Sequence, residues 1–120
     1  MHNKPDFKLF SNIGYALAGM RAVLSSEKSF RIQLIVIAVL SIVILAIPVS
    51  FYGKAALFVS MWLVPAMEAV NSAIERVVDL VTQEHHPLAG EAKDIGAFAV
   101  MMAFFIALMV WSAVLYGEFG

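Results

Sequence analysis

The sequence predicts an all-α membrane protein with an N-terminal amphipathic surface helix followed by three transmembrane helices. Two observations carry this prediction. Hydrophobic residues make up 62% of the 120 residues and charged residues only 14%, against about 45–50% and about 25% in soluble domains. Two stretches of 22 and 23 residues also contain no charge. A domain of this size cannot bury so many apolar side chains, so the excess faces lipid. The alternative, three helices packed in a soluble protein, would need polar faces that these stretches lack.

The whole chain, 1–120, is expected to form one membrane domain, with its surface helix at 7–28. Apolar residues recur in that segment at intervals of three and four, while polar and basic residues occupy the other faces. The apolar stripe consists of Phe10, Ile13, Leu17, Met20 and Leu24. Such a stripe is typical of a helix lying on the membrane interface. Packing of this helix against its own bundle is the alternative, and both descriptions can hold together.

The first and third transmembrane helices are predicted at 30–49 and 93–117. Ile32–Gly53 provides 22 uncharged residues and Ile95–Gly117 provides 23, and about 20 helical residues cross a hydrocarbon core of about 30 Å. Small residues recur in the third span at intervals of three or four and suit close helix contact. They are Gly96, Ala99, Ala103 and Ala107.

The second transmembrane helix, predicted at 54–81 with a cytoplasmic extension, differs from the other two. Its uncharged part, Ala55–Met67, has only 13 residues and covers about 20 Å at 1.5 Å per residue. The span therefore has to carry Glu68 inside the membrane. A carboxylate in lipid costs about 2.5–3.5 kcal/mol unless it is paired, protonated or hydrated, so an acidic group there indicates a functional site facing the bundle interior.

The basic residues predict the orientation. Only Lys54 lies in the turn between the first two spans, whereas seven basic residues lie on the other side: Lys4, Lys8, Arg21, Lys28, Arg31, Arg76 and Lys93. Because basic residues concentrate on the cytoplasmic side, we expect a cytoplasmic N-terminus and an outer C-terminus. A net charge of −1 gives no field for nucleic acid, so no such partner is expected. The absence of cysteine excludes disulfides and thiolate metal sites.

Polar and acidic residues share one face of the second span, at helical spacings that bring them together. They are Glu68, Asn71, Ser72, Glu75 and Asp79. Two carboxylates beside an amide suit Mg²⁺, which binds one or two carboxylates together with water and phosphate oxygens. Lys93 and Asp94 follow at the start of the third span, and the lysine supplies a cation for a transferring phosphate, so nucleotide-dependent chemistry is favoured. In one alternative, Arg21, Arg31 or Lys93 satisfy the carboxylates in ion pairs. In a second, which concerns Asp79 alone, that residue is solvated at the helix end.

The run 68–79 reads Glu-Ala-Val-Asn-Ser-Ala-Ile-Glu-Arg-Val-Val-Asp and is followed by Ala-Lys-Asp at 92–94. This pattern is highly specific, and it resembles that of the small bacterial integral-membrane diacylglycerol kinases. The resemblance covers nearly the whole chain. It implies a homotrimeric bundle in the bacterial cytoplasmic (inner) membrane, with active sites formed between subunits. It also implies phosphate transfer from Mg-ATP to the hydroxyl of a membrane lipid alcohol.

The resemblance further implies roles for individual residues. Glu68 matches the general base, and Glu27 and Glu75 match the carboxylates that hold the nucleotide's Mg²⁺. The residues expected to bind or border ATP are Lys8, Tyr15, Asn71, Asp79, Glu84, His86, Lys93 and Asp94. Those expected to line the lipid site with Glu68 are Arg21, Phe30, Arg31 and Trp111. Asn12 is a further candidate hydrogen-bond donor to the lipid.

Two questions stay open at this level. The string Phe-Arg-Ile-Gln at 30–33 looks more like the sister group that phosphorylates undecaprenol, whereas Asn71 and the terminal Phe-Gly favour diacylglycerol, the preferred substrate. Outside the kinases, intramembrane carboxylates also mark proton or ion pathways, and a purely structural membrane subunit is a third hypothesis. A proton relay does not require Asn71 and Lys93 around the acidic face, which favours the kinase.

Overall fold

The computed structural model describes residues 9–120, and these form four helices without a strand. The helices are α1 (Leu9–Ser26), α2 (Lys28–Ala46), α3 (Phe51–Val81) and α4 (Pro87–Phe119). The last three are each long and apolar enough to cross a membrane. The predicted fold class, an all-α membrane protein, is therefore confirmed.

Most of the apolar stripe of α1 faces away from the other helices of this chain. Phe10, Ile13, Leu17 and Met20 are exposed, and Val23 is the only buried residue of the helix. Residue Glu27 alone separates α1 from α2, and its backbone N–H donates to Val23 O at 3.0 Å. An exposed apolar stripe on a short helix is what an interfacial position requires.

The turn between α2 and α3 is fixed at the end of the bundle that also holds the C-terminus. Ser50 is the N-cap of α3, and its hydroxyl accepts from Gly53 N at 3.1 Å. The backbone N–H of Ser50 donates to Glu118 Oε1 at 3.0 Å. The α2–α3 turn is thereby tied to the last turn of α4.

Helices α3 and α4 are longer than one crossing needs. They contain 31 and 33 residues, or about 45–50 Å at 1.5 Å per residue, whereas the hydrocarbon core measures about 30 Å. Pro87 stands in the first turn of α4, where a missing N–H costs nothing, and His86 caps that turn by accepting from Leu88 N at 3.1 Å. Both helices are therefore long enough to extend beyond the hydrocarbon core.

The core of the chain lies near the α2–α3 turn, where three helices meet. Leu57 is fully buried and packs with Ile37, Ile44 and Met61. The half-buried Trp111 donates its indole N–H to Leu57 O at 3.2 Å. Helices α3 and α4 form the most extensive pair. Gly96 and Ala103 of the predicted small-residue stripe are the buried residues of α4.

Candidate active site

The acidic face predicted on the second span is present because α3 is continuous from Phe51 to Val81. Asn71 and Ser72 are buried, Glu68 is half-buried, and Glu75 and Asp79 are exposed. The side chains of this face therefore change from buried to exposed along the helix. A ligand bound at Glu68 would contact both the buried and the exposed part of the face.

The buried part of this face lies against Gly96 of α4. A Cβ at Gly96 would overlap Asn71 Oδ1 and would lie 3.2 Å from Asn71 Cγ. Asn71 Oδ1 and the Ser72 hydroxyl are buried without a hydrogen-bond partner among residues 9–120. Each such group costs about 1–3 kcal/mol. Natural folds rarely retain these groups except where strain, catalysis or an additional bound molecule explains them.

The exposed part of the face meets a cation from α4. Lys93 Nζ lies 2.8 Å from Asp79 Oδ1, and Glu75 is close enough to Lys93 to interact with it electrostatically. This pair lines a polar cavity of about 270 Å³ between the ends of α3 and α4, to which Glu84 and His86 also contribute. Four residues predicted for nucleotide binding are thus brought together: Asp79, Glu84, His86 and Lys93.

Glu27 reaches α3 from the junction of α1 and α2. Its Oε2 lies 3.2 Å from Nη1 of Arg76, the residue next to Glu75. Arg21, Arg31 and Lys93 were the expected partners for the carboxylates of α3, and Arg76 was not predicted as a partner of Glu27. No local signal could have identified it, because the ion pair depends on how the junction lies against α3.

Helices α2, α3 and α4 enclose an apolar groove of about 440 Å³. Pro65, one turn before Glu68 on α3, lines it together with Trp111, so one residue predicted for the lipid site lies in a suitable cavity. Gln33 also lines it, and its Oε1 is buried without a partner in the described part of the chain. The groove suits a hydrocarbon chain.

The other predicted site residues lie apart from both cavities. Asn12, Tyr15 and Arg21 are on α1, which contributes no lining residue to either. Three more are on α2 and α4 without lining either cavity. Phe30 is buried in α2, Arg31 donates to Leu24 O at 2.6 Å, and Asp94 is exposed on α4. Lys8 lies outside the described residues.

Comparison with known proteins identifies the family. The family model for prokaryotic diacylglycerol kinase matches residues 14–115. The chain belongs to this family. The diacylglycerol kinase of Escherichia coli (strain K12) is 34% identical to it over 113 residues, which are 94% of this chain and 93% of that protein. The Pseudomonas aeruginosa diacylglycerol kinase is 36% identical over 116 residues, covering 92% and 89%.

Membership confirms the family predicted from the run 68–79 and the Ala-Lys-Asp motif. This prokaryotic diacylglycerol kinase family member is an integral membrane kinase whose acceptor is a lipid alcohol. Within residues 9–120 no group of three or more histidine, aspartate or glutamate side chains could hold a metal ion. A cation bound here would have to draw ligands from the nucleotide or from water as well.

Proposed function

We propose that the chain transfers the γ-phosphoryl group of ATP to the primary hydroxyl of diacylglycerol, giving phosphatidic acid at the cytoplasmic face of the bacterial inner membrane. The position of Glu68 carries the proposal. It stands on α3 between Pro65, which lines the apolar groove, and Asp79, which lines the polar cavity. A lipid whose chain occupies the groove would place its hydroxyl near Glu68. A nucleotide bound in the polar cavity would approach that hydroxyl from the Asp79 side of α3.

Glu68 is the general base in this mechanism. Its carboxylate accepts the proton of the lipid hydroxyl as that oxygen bonds to the γ-phosphorus and the bond to the ADP oxygen breaks. Base catalysis of this kind contributes about 10²–10⁴-fold. The remainder of such a transfer depends on positioning and charge neutralisation, so no covalent intermediate on the protein is needed.

The polar cavity supports nucleotide binding. Lys93 donates to the phosphates, while Asp79, 2.8 Å from its Nζ, keeps the ammonium group at this end of α4. Glu84 and His86 border the same cavity. Asn71 fixes the phosphates next to Glu68, and Asp94 contacts the nucleotide from α4. We also assign Tyr15 and Lys8 to the nucleotide, as the resemblance to the family implies.

Glu27 and Glu75 are the residues that would hold Mg²⁺. Both offer carboxylate oxygens, the donor type that Mg²⁺ prefers, and the contact of Glu27 with Arg76 brings it to the part of α3 that carries Glu75. When bound, Mg²⁺ neutralises phosphate charge during transfer.

The lipid site extends from the groove toward the surface helix. Trp111 lines the groove, and Arg21, Phe30, Arg31 and Asn12 are proposed to contact the lipid head. Because none of these four residues lines either cavity of this chain, we assign their contacts to a homotrimer in which neighbouring subunits share sites. The N-terminus is cytoplasmic and the C-terminus lies outside.

Glu68→Gln tests the base. We expect kcat of the purified protein, measured with Mg-ATP and dioctanoylglycerol in detergent, to fall by at least about 100-fold while the KM for ATP stays unchanged. Glu91→Gln removes an exposed carboxylate of α4 and serves as the matched control with full activity. Retention of wild-type kcat by Glu68→Gln would refute the assignment. Proton flux through liposomes without lipid phosphorylation would favour the ion pathway instead.

A competition assay with both lipids tests the substrate. The relatives compared above are named diacylglycerol kinases, which supports diacylglycerol over undecaprenol. With both alcohols in one detergent, we expect the higher kcat/KM for diacylglycerol. A higher value for undecaprenol would overturn this choice and leave the catalytic assignments in place.

A further inference from the structure

Arg76 connects α3 to the junction between α1 and α2. Its Nη2 donates to Ser26 Oγ at 2.8 Å, and its Nη1 lies 3.2 Å from Glu27 Oε2. The same Nη1 also approaches Ser72 O at 3.4 Å, one turn back on α3. A planar guanidinium with several fixed donors can hold two partners in one geometry, which an ammonium cannot do.

The Glu27 carboxylate can contact Arg76 because it makes no capping hydrogen bond to α2. Glu27 is the N-cap residue of α2, with extended backbone (φ −124°, ψ 110°) and no side-chain cap hydrogen bond. Its side chain is 22% exposed, against 49% for Arg76. The carboxylate therefore extends toward α3 and is the more enclosed partner of the pair.

The contact engages only one oxygen of the carboxylate. Arg76 bonds to Oε2, and no hydrogen bond to Oε1 occurs within the residues that the structure describes. A carboxylate held by one oxygen keeps the other for a cation, in the way that ligating carboxylates are oriented by hydrogen bonds from residues that do not touch the metal.

We propose that Arg76 is a positioning residue of the metal-nucleotide site, and that it holds Glu27 where its free oxygen and Glu75 bind the same divalent cation. This inference rests on the proposed function, which assigns Glu27 and Glu75 to Mg²⁺. Arg76 follows Glu75 directly, so one segment of α3 supplies one ligand and fixes the other. The opposite role, in which Arg76 competes with the cation for Glu27, predicts an effect of opposite sign.

Metal binding, measured without turnover, tests the inference. Mn²⁺ replaces Mg²⁺, and its binding to the full-length protein in detergent with a non-hydrolysable ATP analogue is followed by electron paramagnetic resonance. We expect Arg76→Gln to raise the Kd for Mn²⁺ roughly tenfold, in the range seen when the partner of a metal ligand is removed. Arg76→Lys should recover part of this loss. Lys28→Gln removes an exposed charge next to Glu27 and should leave the Kd within about twofold, since exposed charges interact weakly through solvent.

A cycle with Glu27→Gln decides whether Arg76 acts through Glu27. In that background Arg76→Gln should add nothing to the Kd. Tighter Mn²⁺ binding by Arg76→Gln, or a further loss in the Glu27→Gln background, overturns the inference. An effect of Glu27→Gln without one of Arg76→Gln also overturns it and leaves the proposed function standing. If Glu27→Gln does not change the Kd, both the inference on Arg76 and the proposed role of Glu27 as a metal ligand are overturned. If Arg76→Gln fails to fold, Arg76→Lys carries the same cycle.

Discussion

Gly96 is the position where an added methyl group tests the packing of the acidic face most directly. Its Cβ would overlap Asn71 Oδ1 and would lie 3.2 Å from Asn71 Cγ. Rotation of the amide alone leaves Cγ in place, so Asn71 has to change its χ1 angle or α4 has to move. Overpacking of this kind costs about 1–3 kcal/mol, and the higher helix propensity of alanine returns about 1 kcal/mol. We expect Gly96→Ala to destabilise the protein by up to about 2 kcal/mol.

We expect kcat to fall by more than the loss of stability alone would cause, because Asn71 lies one helical turn from Glu68. Unfolding in a denaturing detergent gives the free energy, and the kinase assay gives kcat. Gly117→Ala is the matched control on the same helix, since a Cβ there meets nothing within 4 Å.

Asn71→Ala supplies the second arm of a cycle. Asn71 Cβ would lie 3.8 Å from the new methyl group, an ordinary contact. Gly96→Ala should therefore cost no stability in that background, and the coupling should equal the overpacking cost of about 1–3 kcal/mol. The same loss in both backgrounds, or a fully stable and active Gly96→Ala, would refute the packing argument.

Two further predictions concern the lipid groove and the topology. Trp111→Phe removes the 3.2 Å bond to Leu57 O; it should lower the unfolding free energy by about 1 kcal/mol and raise the KM for lipid, with the KM for ATP as the internal control. Cysteines at the exposed positions Pro48 and Gln83 should react with an impermeant maleimide from opposite sides of the membrane; reaction from the same side would contradict the three-span topology.

Local patterns in the sequence determine the elements of this protein. The length of uncharged stretches predicts α2 and α4, because crossing the hydrocarbon core depends on length and composition. The spacing from Glu68 to Asp79 predicts a shared face, because a helix has a fixed period. The same run identified the family. The small-residue stripe indicated where α4 packs closely, and Gly96 and Ala103 are its buried members.

Only the tertiary structure decides which side chains from different helices meet. The partner of Glu27 is Arg76, 49 residues away along the chain, and Lys93 bonds Asp79 across α3 and α4. The sequence offered Lys93 as one of three candidate partners for the carboxylates of α3 and did not offer Arg76 for Glu27, because the pairing depends on the angle and register at which separate helices pack. The polar cavity and the apolar groove exist for the same reason. The sequence by itself determined which residues place charge on the long apolar helices, and helix packing decided which partners and cavities they meet.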